Sequence, residues 1–113
     1  MTTEEKWLKV EAYFKQLTGK ETSLNGMLFL IGVQELGKGL RNFSKEQKQD
    51  LMHIGICKLL SRSGYYQSEG RDADGWPHWR LVKKLPHADL LGQEQVLKDH
   101  VISYLEEEGM LKY

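Results

Sequence analysis

The sequence predicts a mainly α fold: four helices around an apolar central helix, with a β-hairpin between helices 3 and 4, the element order of a winged helix. Three observations carry that expectation. Helix starts are written twice as a hydroxyl residue followed three positions later by Glu or Gln, at Thr2/Glu5 and Ser44/Gln47. Residues 24–36 are apolar almost without a break, and residues 65–82 change to short extended stretches separated by turn formers.

The first helix is expected over residues 4–17. Thr2 and Glu5 form its capping box, Gly19 stops it, and Trp7, Val10, Phe14 and Leu17 recur at helical spacing on one face. The second helix starts after Thr22 or Ser23 and ends near Gly37. Leu24, Met27, Leu28, Phe29, Leu30, Ile31, Val33 and Leu36 leave it almost no polar side, so it needs cover all round, from its own chain or from a second copy. Gly26 and Gly32 weaken helix propensity there, and close approach of another backbone is the expected return. The third helix runs over about 45–60, capped by Ser44 and Gln47, with Leu51, Met52, Gly55, Ile56, Leu59 and Leu60 as its apolar stripe; Ser63-Gly64 closes it.

The extended stretches are Tyr65–Glu69 and Trp76–Val82, joined by Gly70-Arg71-Asp72-Ala73-Asp74-Gly75 in a long or bulged tip. Pro77 stands near a strand start, where a missing N–H is tolerated. Pro86 blocks helix continuation before the last helix, expected from about Leu90 or Gln93 to Glu108, with Leu97, Val101, Tyr104 and Leu105 on its buried side.

The 113 residues are expected to form a single domain, 1–113, able to fold without disulfide or structural metal. The lone cysteine, Cys57, excludes an intramolecular disulfide and favours a reducing, cytoplasmic setting. The N-terminus reads as a helix start rather than a secretory signal, and the apolar run Met27–Val33 is too short to cross a bilayer, so no membrane partner is expected. Net charge is zero, but Lys38–Lys84 holds ten basic against five acidic residues. That surplus is weaker than a dedicated nucleic-acid domain shows.

Chemistry-bearing residues concentrate in the hairpin. Tyr65, Tyr66, Trp76 and Trp79, with Asp72, Asp74 and His78 among them, make a candidate aromatic and polar binding surface. The plainer reading is that these aromatics pin the hairpin through cross-strand pairs. Asp72-x-Asp74-Gly75 starts like a calcium loop but lacks the further oxygen ligands, which favours a turn built by Asp side chains. His53 and Cys57, four apart on a helix, would supply half of a zinc site, with His78, His87 or His100 needed to complete it. No nucleophile elbow, P-loop or dinucleotide fingerprint is present, so neither catalytic residues nor a cofactor are assigned.

The winged-helix order raises nucleic-acid binding as an alternative, with Lys48, Lys58 and Arg62 on the third helix and Arg71 and Arg80 on the hairpin. Leu51 and Gly55 interrupt that basic stripe, and Asp72 and Asp74 place negative charge where a wing meets phosphate. The strings Phe29–Gly37 and Gly70–Trp79 resemble a small bacterial family of uncharacterised proteins. The resemblance spans most of the chain, implies a compact helical protein, and transfers no activity, cofactor or functional residue. The expected function is therefore a non-enzymatic binding or protein-interaction module, in a homodimer or with another protein. A small enzyme or metal protein is the remaining alternative.

Overall fold

The structure, a computed structural model, describes residues 1–85 and 90–111, with side chains of the last helix described from Gln93 onward. In chain order the elements are α1 (Thr3–Thr18), α2 (Leu24–Leu36), α3 (Lys45–Ser61), β1 (Tyr66–Arg71), β2 (Pro77–Leu81) and α4 (Leu90–Glu107). The expected order of helices and antiparallel hairpin is therefore observed. Pro86, read as a helix block, and His87 lie outside the described residues. The chain divides into two compact units, Met1–Leu24 with His87–Tyr113, and Asn25–Pro86.

In the first unit, Thr2 is extended and its Oγ1 accepts from the Glu5 N–H at 3.1 Å, while the Glu5 carboxylate accepts from the Thr2 N–H at 3.2 Å. Two N–H groups that a helix start leaves open are thus satisfied by one residue pair. Val10 and Phe14 of α1 are buried, as are Val101, Ile102, Tyr104 and Leu105 of α4. Leu17, expected on the buried stripe, is 59 % exposed. It falls in the final turn, where Gly19 in a left-handed conformation takes the chain off the helix axis. Polar contacts tie the two helices together: Lys6 pairs with Glu106 at 3.2 Å, and the Tyr13 hydroxyl donates to Met110 Sδ at 3.3 Å.

The second unit is built on a close crossing of α2 and α3. A methyl group placed on Gly32 of α2 would overlap the Leu51 carbonyl of α3, and one placed on Gly55 of α3 would overlap the Leu28 carbonyl of α2. The contact is reciprocal, each helix offering a leucine carbonyl and a glycine four residues later. The expected return for Gly32 is thus realised. No apolar side chain of α2 is exposed: Met27, Leu28, Ile31, Val33 and Leu36 are buried, and Leu24, Phe29 and Leu30 are partly so. Cover for these side chains is thus found within one chain. Among the described residues no helix is long and apolar enough to cross a membrane.

Val33, Leu36, Phe43, Leu51 and Ile54 form a core to which Phe29 and Trp76 are added at the edge. Phe43 stands between Phe29 and Trp76, with edge-to-face centroid distances of 6.1 and 6.4 Å. At the end of α3 the chain closes a Schellman turn: Tyr65 N–H donates to Leu60 O at 3.2 Å and Gly64 N–H to Ser61 O at 3.1 Å. Gly64 supplies the left-handed residue this turn requires, at φ 82°. The turn reverses the chain into β1, so the hairpin lies back along α3.

The strands pair antiparallel as Tyr66 with Leu81, Gln67 with Arg80 and Ser68 with Trp79, then shift register so that Arg71 faces Pro77. The shift lets β1 run on to Arg71, past the expected end at Glu69, while β2 starts at Pro77, one residue later than expected. The bulge is the irregularity anticipated for the tip, placed inside the ladder instead.

Candidate functional site

A groove of about 460 Å³ opens between the first half of α3 and the hairpin, inside the second unit. Gln47, Asp50, His53 and Ile54 form its α3 wall, and Asp72, Asp74, Trp76, Pro77, His78 and Trp79 form its hairpin wall. Spacings of three and four put the α3 residues on one helical face. Those on the hairpin are brought together by the tip.

Asp72 builds that tip. Its Oδ1 accepts from the Asp74 N–H at 2.9 Å and the Trp76 N–H at 3.0 Å, while its own N–H donates to Trp76 O at 3.0 Å. Its Oδ2 lies 2.9 Å from His78 Nε2. The His78 hydrogen bond, followed by the backbone N–H groups, holds the Asp72 carboxyl below the usual carboxylate range. Asp72 therefore acts as the organiser of a turn, as the Asp-turn reading expects.

The tip is moored to the end of α2. Arg71 Nη2 donates to Glu35 O at 2.6 Å, and Nη1 donates to Leu36 O at 3.2 Å and to Gly75 O at 2.8 Å. The Lys38 ammonium donates to Asp74 O. Carbonyls at the C-terminus of a helix lack intrahelical donors and carry partial negative charge, so a guanidinium fits there.

Of the hairpin residues nominated from sequence, Asp72, Asp74, Trp76, His78 and Trp79 share the groove. Tyr65 and Tyr66 stand apart from its walls. Tyr65 lies under the Lys83 ammonium at 4.2 Å, and Tyr66 meets the His53 ring edge-on at 6.1 Å. Aromatic cross-strand pairs do not form; Tyr66 faces Leu81 and Trp79 faces Ser68. Trp76 instead anchors on Phe43, and the Trp79 indole N–H is buried without an acceptor among the described residues. Gln47, Ile54 and Pro77 gave no functional signal in the sequence; Asp50, a carboxylate flanking an apolar helix, is one that the sequence allows to enter a cleft, and it lines the groove.

His53 and Cys57 do meet, with Cys57 Sγ 3.6 Å from His53 Nε2. Burial pushes the thiol up to about 12, the direction opposite to nucleophile activation. No set of three His, Cys, Asp or Glu side chains among the described residues is arranged to hold a metal. The basic residues of the nucleic-acid alternative are scattered over different tasks. Arg71 binds the end of α2, Lys58 pairs with Glu35 at 3.9 Å, and Arg80 donates to Gln67 at 3.0 Å. Arg62 is half-buried at the end of α3, and Lys48 is exposed.

The groove walls carry no hydroxyl, thiol or amine side chain, and the carboxylates of Asp50 and Asp74 have no ion-pair partner among the described residues. No protein-family model, curated protein or solved structure matches the chain.

Proposed function

We propose that the chain is a non-catalytic binding module whose α3–hairpin groove receives a segment of a protein partner in the cytoplasm. One observation carries the reading: five residues nominated from sequence as a binding surface line one concavity with Asp50 and His53. Its volume falls within the roughly 300–1,000 Å³ typical of ligand pockets. Six of its ten lining residues are polar or charged, and they stand beside the apolar surface of Ile54, Trp76, Pro77 and Trp79, so the groove can both orient and cover a bound segment. A catalytic reading lacks support there, because His78 is engaged with Asp72 and the walls supply no hydroxyl or thiol for it to activate. The nucleic-acid reading is weakened by the same walls, which present carboxylates, and by the engagement of Arg71 and Lys58 elsewhere.

A panel of anionic, neutral and cationic fragments, followed by amide chemical shifts, tests the reading. The expected result is that perturbed amides cluster over residues 47–54 and 72–79. A panel that perturbs only amides outside these stretches, or none, overturns it.

A further inference from the structure

We infer that the segment bound in this groove is basic, a lysine or arginine of a protein partner laid against Trp76 and Trp79 with its charge between Asp50 and Asp74. The inference rests on the binding reading above and adds the chemistry of the occupant.

Charge complementarity is the first ground. Asp50, Asp72 and Asp74 all line the groove, and none of its walls is a lysine or arginine. Among the described residues, two basic residues reach the tip, and both are bound to backbone carbonyls: Arg71 to Glu35 O, Leu36 O and Gly75 O, and the Lys38 ammonium to Asp74 O. Asp72 is itself occupied by two backbone N–H groups and His78, leaving Asp50 and Asp74 as carboxylates free to meet an incoming cation. Exposed carboxylates that form no ion pair repel anions and lower the cost of bringing a cation to the site.

The second ground is the apolar part of the lining. Ile54, Trp76, Pro77 and Trp79 give a surface suited to the methylene stem of a long cationic side chain, and tryptophan is the aromatic with the strongest attraction for a cation. Gln47 and His53 can bond to peptide groups flanking that side chain, which a free polyamine lacks. A protein segment therefore uses more of the lining than a small amine does. At the start of α3, two of the N–H groups that could meet an anion are already taken, Gln47 N–H by Ser44 Oγ at 3.1 Å and Ser44 N–H by Gln47 Oε1 at 3.0 Å.

The test uses the full chain and four probes: fluorescent capped tetralysine, spermidine as competitor, capped tetraglutamate, and a short DNA duplex. Tetralysine is expected to bind, more weakly as salt rises from about 50 to about 300 mM. Asp50→Asn with Asp74→Asn is expected to weaken it about five- to tenfold, two exposed pairs being lost. Both positions are solvent-exposed, and Asp74 serves the tip through its backbone alone, so the variant keeps the fold; unchanged amide spectra away from the groove check this. Tetraglutamate and duplex are expected not to bind. Equal binding of tetralysine by the double variant overturns the proposal, as does displacement by spermidine at equal concentration, which would make the occupant a small amine. If tetralysine fails while neutral or anionic fragments perturb residues 47–54 and 72–79, the basic occupant falls and the groove reading stands. If nothing perturbs them, both fall.

Discussion

Gly32 of α2 lies so close to the Leu51 carbonyl of α3 that a single methyl group at Gly32 would occupy the same space. Because Gly55 repeats the relation toward the Leu28 carbonyl, the spacing of the two helices is fixed from both sides, and with it the placement of the α3 wall of the groove.

Gly32→Ala and Gly55→Ala are therefore expected to destabilise the protein although alanine is the better helix former. Propensity favours each by about 1 kcal/mol, but backbone overlap must be relieved by separating the helices, for a net loss of about 2 kcal/mol or more. Urea unfolding followed by circular dichroism measures it. A variant as stable as the parent would show that the helices are not held at this distance.

Arg71→Lys tests the mooring of the hairpin. Lysine keeps the charge but lacks the planar fork that reaches Glu35 O, Leu36 O and Gly75 O together. A stability loss of about 1 kcal/mol is expected, together with faster amide exchange over residues 72–76. Exchange rates equal to the parent's would mean that the tip holds its shape without the guanidinium.

Asp72 gives the tip a pH dependence with a definite sign. Its carboxyl sits below the usual range because His78 and the tip N–H groups favour the charged form. The contribution is thus complete at neutral pH and is lost only as pH falls through that lowered value. Carbon-detected titration should place Asp72 below the ordinary aspartate value of about 3.9, with tip amides shifting in the same step. In Asp72→Asn that step should vanish. A midpoint at or above the ordinary value contradicts the hydrogen bonding described.

Cys57 acts at the other end of the pH scale. With its thiol raised to about 12 by burial, it stays protonated in the folded chain while an unfolded chain ionises it near 8.5. Stability from this group is intact at neutral pH and falls as pH rises above the unfolded value, an alkaline loss that Cys57→Ala should abolish. At pH 8 a disulfide reagent should leave the native protein unmodified and titrate one thiol per chain in denaturant. Rapid labelling of native protein would show that the sulfur is not enclosed.

What could be read in advance was local. Thr2 with Glu5 and Ser44 with Gln47 are separated by one helical turn, so the residue pair and the backbone groups it satisfies sit in the same few positions. The change of period after Gly64 likewise marks the hairpin, and five of the seven side chains singled out there do gather in one groove. What escaped depended on distant partners. Nothing near Arg71 in the chain announces that it binds carbonyls of Glu35 and Leu36, so it read as a wing cation. Asp50 flanks an apolar helix and so could enter a cleft, but which cleft depends on the hairpin laid beside it. Gly70 read as turn rather than strand because a register shift, invisible in composition, lets β1 continue through it. Leu17 followed the helical period of Val10 and Phe14, yet period says nothing about where cover stops.

The groove itself is tested most directly by the indole N–H signals of the three tryptophans during a titration with capped tetralysine. Trp76 and Trp79 line the groove, whereas Trp7 belongs to the other unit, beside Lys98. The account predicts that the Trp76 and Trp79 signals move together to saturation while Trp7 stays fixed. Movement of Trp7 with Trp76 and Trp79 unmoved would place binding elsewhere and contradict it.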